Sequence, residues 1–152
     1  LSRQLKLKPI DTGFDSLQIR VWFDHSLALI KHLVIIERQN DEWKGKLYEM
    51  NVDYVDTLNY NLVKQYKKKN IDPVSGWHHL ISELYKNNIL ELSGNSGGGA
   101  DRMAYSVEIV TVGTYTYYCF YDLKVVKDRN SESNMANIIL LLEREFNLTA
   151  VK

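Results

Sequence analysis

The 152-residue chain contains one cysteine, and its 19 basic side chains are matched by 19 acidic ones. With Cys119 alone, an intrachain disulfide is excluded, as is a structural zinc site built on two to four thiolates. Cys119 sits within the apolar run Tyr117-Tyr118-Cys119-Phe120-Tyr121, which fits a buried thiol better than a nucleophile, because no basic or histidine neighbour in that run would lower its pKa. The zero net charge removes the global basic footprint of a nucleic-acid binder, and no nucleic-acid partner is expected. The one concentrated basic run, Lys64 with Lys67, Lys68 and Lys69, reads as a solvated strand end or loop. No uninterrupted apolar run approaches the roughly 20 residues that a membrane-spanning helix needs.

The composition that remains, 45% apolar and 25% charged, is that of an ordinary globular domain and not of a disordered, collagen-like or coiled-coil chain. At this length one core is expected, burying roughly 70% of the extended chain's surface. Residues 1–16 have no stable period and read as an extended N-terminal segment, so the domain is placed at 17–152. Leu1 is not a methionine, and a leader or upstream segment is expected to precede it, with an export signal or a lipid anchor among the options.

Leu17, Ile19, Val21 and Phe23 alternate with polar or larger residues, which predicts a strand with one apolar face. The stretch 28–38 is apolar on both faces, as in a strand inside a sheet. A polar turn at 38–42 and renewed alternation over 43–52 predict a hairpin. A further strand is expected over 57–66. Ser75 is placed to cap a helix whose stripe is Trp77, Leu80, Ile81, Leu84 and Tyr85. The segment 93–100 holds four of the eight glycines and reads as a loop. Two strands, 103–112 and 114–126, follow around Gly113. Ser131 can cap a last helix carrying Met135, Ile138, Ile139, Leu142 and Phe146, ending near Asn147. This order predicts an α+β fold: a mainly antiparallel sheet of five to six strands with two amphipathic helices packed on one face, the other face open or used for a partner.

Motifs for chemistry are weak. Gly94-Asn95-Ser96-Gly97-Gly98 resembles the nucleophile loop of chymotrypsin-like proteases over five residues only, in a chain too short for their two barrels. It lacks the lysine and hydroxyl of a phosphate cradle. His78 and His79 are adjacent, so on a helix they point about 100° apart and cannot share an ion as residues four apart do. The carboxylates Glu37, Glu49, Glu108 and Asp122 are candidates for the sheet, with no spacing that pairs them. No catalytic residue, metal site or cofactor is assigned, and an enzyme is the less favoured expectation. Its form would be a small hydrolase or metal-dependent enzyme using Asp24 and His25 at a strand end.

The most distinctive feature is ten tyrosines against four phenylalanines and three tryptophans. Tyr115, Tyr117 and Tyr121 fall on one face of a strand, with Tyr118 and Phe120 on the other, and Tyr105 and Tyr48 are candidates for neighbouring strands. A ring with a polar tip suits a half-exposed recognition surface as well as a cross-strand ladder. Tyr117, Tyr115, Tyr121, Trp43 and Tyr48 are therefore the candidate binding residues, for a protein or small-molecule partner whose identity the sequence leaves open. The runs Leu17-Gln18-Ile19-Arg20-Val21-Trp22 and Glu42-Trp43-Lys44-Gly45-Lys46-Leu47-Tyr48, with a Tyr-rich strand before a C-terminal helix, resemble small exported proteins of Bacteroidetes that have no assigned activity. That resemblance implies a periplasmic or cell-surface location and supplies no catalytic residue.

Overall fold

The computed structural model describes residues 2–7, 17–25, 29–55, 60–94, 103–121, 123 and 131–148. Its elements run β1 (Gln18–His25), β2 (Ile30–Gln39), β3 (Glu42–Val55), β4 (Tyr60–Ile71), α1 (Trp77–Lys86), β5 (Met103–Thr111), β6 (Thr114–Tyr121) and α2 (Ser131–Glu145). The six strands form one sheet in the order β4-β3-β2-β1-β5-β6, and every neighbouring pair is antiparallel. The expected α+β class is the observed one.

Local chemistry accounts for most of the boundaries. Asn40 and Asp41 both have positive φ, the conformation of a two-residue turn that matches the twist of the β2–β3 hairpin. Gly113, at φ 78°, does the same service between β5 and β6. Both helices close on an asparagine in the left-handed region, Asn88 and Asn147. Behind each, a backbone N–H reaches back five residues, Ile89 to the Leu84 carbonyl at 3.2 Å and Leu148 to the Glu143 carbonyl at 2.9 Å. That arrangement satisfies carbonyls that a helix end leaves open.

Two expectations about α1 need correction. Ser75 does not cap α1: Gly76 holds that position without a side-chain cap, because the Ser75 N–H (2.8 Å) and hydroxyl (2.7 Å) both donate to Glu145 Oε2 at the end of α2. Tyr85 is exposed while Leu80, Ile81 and Leu84 are buried. At 100° per residue it stands about 80° round the helix from Trp77 and falls off the stripe. Of the two readings of the lysine run, strand end or loop, the strand end is the observed one, since β4 continues through it to Ile71. Lys67 faces Glu49 across the β3 pairing and Lys68 faces Tyr48, so opposite charge and an aromatic face carry the strand onward, while exposed lysines guard a sheet edge.

Alternation splits the sheet into two chemically different faces. On one, Ile19, Val21, Val34, Ile36, Leu47, Tyr105, Val107, Ile109 and Phe120 merge into a single apolar cluster with Leu80, Ile81 and Leu84 of α1 and Met135, Ile138 and Leu142 of α2. Gly45 is required here: a Cβ would lie 2.7 Å from the Ile71 carbonyl oxygen and 2.9 Å from the Trp77 ring. On the opposite face a second cluster joins Trp22, Leu33, Ile35, Tyr48, Met50 and Val52 to Leu5. Residues 2–7 are a turn, not extended chain, with the Lys6 and Leu7 N–H groups donating to the Arg3 and Ser2 carbonyls. This turn is tied to the sheet by the Gln4 side chain, which accepts from the Val63 N–H at 2.7 Å. Residues 8–16, the loop 95–100 and the expected strand positions 122 and 124–126 lie outside the described residues.

Candidate functional site

The second face changes character along the sheet. Its apolar cluster lies mainly on β2 and β3 and holds Leu5 of the N-terminal turn; toward β5 and β6 it becomes polar. Period-2 alternation puts Gln18, Arg20, Trp22 and Asp24 of β1 on this face. Ser106 and Glu108 of β5 stand beside Trp22 and Arg20, and Tyr117 and Cys119 of β6 stand beside Glu108 and Ser106.

Ion pairs and hydrogen bonds thread this surface. Arg20, only 2% exposed, lies 3.5 Å from Glu108 Oε2 and donates from Nε to Gln18 Oε1 at 2.7 Å. Gln18 donates in turn to Glu37 Oε2 at 3.0 Å, and Lys46 donates to the other oxygen of Glu37. Lys31, equally buried, pairs with Asp24. Burial pulls the Arg20 guanidinium down from its ordinary pKa, and Glu108 pushes back by charge and hydrogen bonding. Each buried cation is thus matched by a carboxylate, which is the condition for keeping charge out of water.

Glu108 retains a point of chemical interest. Its Oε2 is sealed from solvent and has no hydrogen-bond partner among the described residues, although Arg20 balances its charge. Beside it lies a depression of about 200 Å³ lined by Ser2, Trp22, Asp24, Ser106, Glu108 and Tyr117. The Ser106 and Tyr117 hydroxyls meet at 3.2 Å, and Ser106 also donates to Cys119 Sγ at 3.6 Å.

The tyrosines of β6 continue the site toward the sheet edge. Tyr115 and Tyr117 are each about half exposed, at 53% and 52%, and Tyr121 is half-buried. All three phenols are held above their ordinary pKa. Burial, then Glu108, raises Tyr115. Burial, opposed by the Ser106 hydrogen bond, raises Tyr117. Hydrogen bonding to the Cys119 thiol raises Tyr121. Each therefore offers a neutral O–H at physiological pH, able both to donate and to accept.

The five sequence-predicted residues do not form one surface. Tyr115, Tyr117 and Tyr121 come together on β6. Tyr48 shares their face but lies on β3, four strands away in the sheet order. It is buried at 5% exposure against Tyr66, with ring centroids 5.9 Å apart, and carries Lys68 over its ring. Trp43 packs against the cluster on the other face, with the Arg38 guanidinium 5.9 Å above its ring. Tyr105 is also on that other face, where burial pushes its phenol up to about 12, with Glu143 adding to the effect. Sequence reading passed over Ser2, Trp22, Ser106, Arg20 and Lys31. For Arg20 of β1 and Ser106 of β5 the one signal was a polar residue on the nominally outward positions of strands that prove to lie inside the sheet.

Asp24 lines the depression, but one of its oxygens is engaged by Lys31, and the His25 side chain lies outside the described residues. His32 is buried 3.8 Å from Glu49, on the opposite face from Asp24. Among the described residues no group of three or more His, Cys, Asp or Glu side chains is placed to hold a metal ion, and no helix is long and apolar enough to cross a membrane.

A larger groove of about 720 Å³ runs between the end of α1 and α2. Its charged and amide groups are largely engaged with one another. Lys86 pairs with Glu83, Arg144 with Glu145, and Asn137 donates to Asn87 at 3.2 Å. It therefore offers less unspent chemistry than the sheet face. No protein-family model, curated protein or solved structure matches this chain.

Proposed function

We propose that the chain is a noncatalytic binding domain whose recognition surface is the β1–β5–β6 part of the second sheet face, centred on Tyr117. The observation that carries this reading is the depression of about 200 Å³ where the half-exposed Tyr117 ring borders the Ser106 hydroxyl and the Glu108 carboxylate. Half-exposed aromatic rings next to hydroxyl and carboxylate groups supply contact area and orientation together, as binding sites require. The location, periplasmic or at the cell surface, follows the resemblance of the strand sequences and is tested by fractionating cells that carry the native gene.

The test of binding is thermal denaturation across metals, nucleotides, sugars and peptides, run in parallel on the wild type and Tyr117→Ala. A ligand at 100 times its dissociation constant adds about 2.7 kcal/mol. A saturable shift in the wild type that the variant loses supports the reading. A shift of equal size in both proteins places binding elsewhere.

Hydrolysis by Asp24 and His25 is the second reading, favoured by the position of Asp24 on the same depression. Turnover of chromogenic esters or phosphodiesters that vanishes in Asp24→Asn would establish it. The engagement of Asp24 by Lys31 supports binding over catalysis, because it occupies an oxygen that a catalytic carboxylate needs free for substrate.

A further inference from the structure

We infer that the depression beside Tyr117 takes a neutral, hydroxyl-rich ligand, one sugar unit, an inference that rests on the binding reading above and specifies its ligand class. Three features of the lining lead there.

The first is charge. The two carboxylates at the depression, Asp24 and Glu108, are already matched by Lys31 and Arg20. The four formal charges cancel, and both cations are 2% exposed, so water screens them little. A ligand ammonium would be repelled by Arg20 and Lys31 from behind the carboxylates, and a ligand anion would meet the carboxylates themselves. A neutral ligand meets neither penalty.

The second is hydrogen-bond type. The carboxylates accept only, whereas the hydroxyls of Ser2, Ser106 and Tyr117 both donate and accept. Either hydroxyl can be the donor in the 3.2 Å Ser106–Tyr117 contact, and when Ser106 gives its proton to Tyr117 rather than to Cys119 the Tyr117 O–H is left to donate outward. An ammonium can serve the acceptors alone. A ligand hydroxyl donates to the Glu108 carboxylate and accepts from the Tyr117 O–H, so vicinal hydroxyls satisfy both kinds of group at once. A donor brought to the Glu108 carboxylate forms a charge-assisted bond, the stronger class.

The third is size and surface. About 200 Å³ is below the roughly 300–1,000 Å³ of pockets for drug-sized ligands, which leaves room for one small ring. The Trp22 indole lines the depression, and Tyr117, with Tyr115 beyond it, offers a half-exposed ring against which the C–H face of a sugar can lie.

The experiment is calorimetric titration of the chain with neutral glucose, galactose, mannose, xylose and N-acetylglucosamine, with cationic glucosamine, anionic galacturonate, alkylamines and short neutral peptides as contrasts. At least one neutral sugar is expected to bind saturably, at least tenfold more tightly than its charged counterpart. Glu108→Gln and Tyr117→Phe, which keep side-chain shape, are each expected to weaken it tenfold or more. Tyr66→Phe, on the same face at the far edge, is expected to leave it unchanged. If Glu108→Gln fails to fold, Ser106→Ala carries the same test. Sugar binding that ignores these substitutions overturns the inference. Binding of only an amine, an acid or a peptide, still dependent on Tyr117 and Glu108, refutes the ligand class and leaves the binding site standing. No probe dependent on either residue removes both.

Discussion

Replacing Arg20 by methionine tests the reasoning about the polar face. The side chain is 2% exposed and balances Glu108, itself 14% exposed, at 3.5 Å. Methionine fills much of the same volume but leaves the Glu108 carboxylate without its cation and Gln18 Oε1 without its 2.7 Å donor. Stranding one member of a buried pair costs about 3–5 kcal/mol. Glu108 keeps some solvent contact, so roughly 3 kcal/mol, the low end, is expected here. For a chain of this length 1 kcal/mol moves Tm by about 2–4 °C, giving a fall of roughly 6–12 °C. In urea, with a slope of about 1–3 kcal/mol/M, the midpoint falls by about 1–3 M. The double variant Arg20→Met/Glu108→Leu removes the stranded charge and should regain at least about 1 kcal/mol relative to the sum of the single changes. A loss below about 1 kcal/mol for Arg20→Met, or strict additivity in the double variant, would refute the claim that this pair is a buried, mutually dependent unit.

Other outcomes follow from the same structure. Gly45→Ala drives a Cβ against the Ile71 carbonyl oxygen and the Trp77 ring, and should cost about 1–3 kcal/mol in chemical denaturation, because backbone cannot give way as a side chain can. Burial holds His32 below its ordinary pKa, with Glu49 pulling the other way. Between that lowered value and about 6.5 the unfolded chain binds a proton that the native one refuses, so stability falls as pH drops through this window. His32→Gln should flatten the slope of urea midpoint against pH, and an unchanged slope would count against the assignment. Glu145 is held below the ordinary carboxylate range: burial alone would raise it, but hydrogen bonds from Ser75 and Arg144 outweigh that. Its contribution is therefore full above the unfolded carboxyl pKa and is lost as pH falls through the folded one. Glu145→Gln should cost about 1.5–3 kcal/mol at pH 7, and the gap between wild type and variant should close in acid.

How much was legible in the sequence depended on the range of the interaction. Alternation in Leu17–Phe23, the 38–42 turn, Gly113 and the Ser131 helix are local signals, and all of them placed elements correctly. Ser75 misled because a hydroxyl that looks like a cap was taken by Glu145, 70 residues away in sequence. The lysines of β4 were legible as a strand end, but their partner Glu49 is found only through strand register. The site suffered most. Gln18 and Arg20 read as the wet side of β1, yet β1 lies between β2 and β5, and both side chains are buried. Nothing in one strand's sequence announces its neighbours. Of the tyrosines, Tyr115, Tyr117 and Tyr121 were grouped by period alone, whereas the place of Trp43 on the opposite face and of Tyr48 in a core is set by the pairing of strands.

The most direct measurement is amide chemical-shift mapping of the chain with whichever probe gives the largest thermal shift. The account predicts perturbations concentrated at Trp22–Asp24, Ser106–Glu108 and Tyr115–Cys119, around the depression those residues border. Perturbations confined to Asn87, Asn88, Asn134 and Asn137, in the groove between α1 and α2, would contradict it.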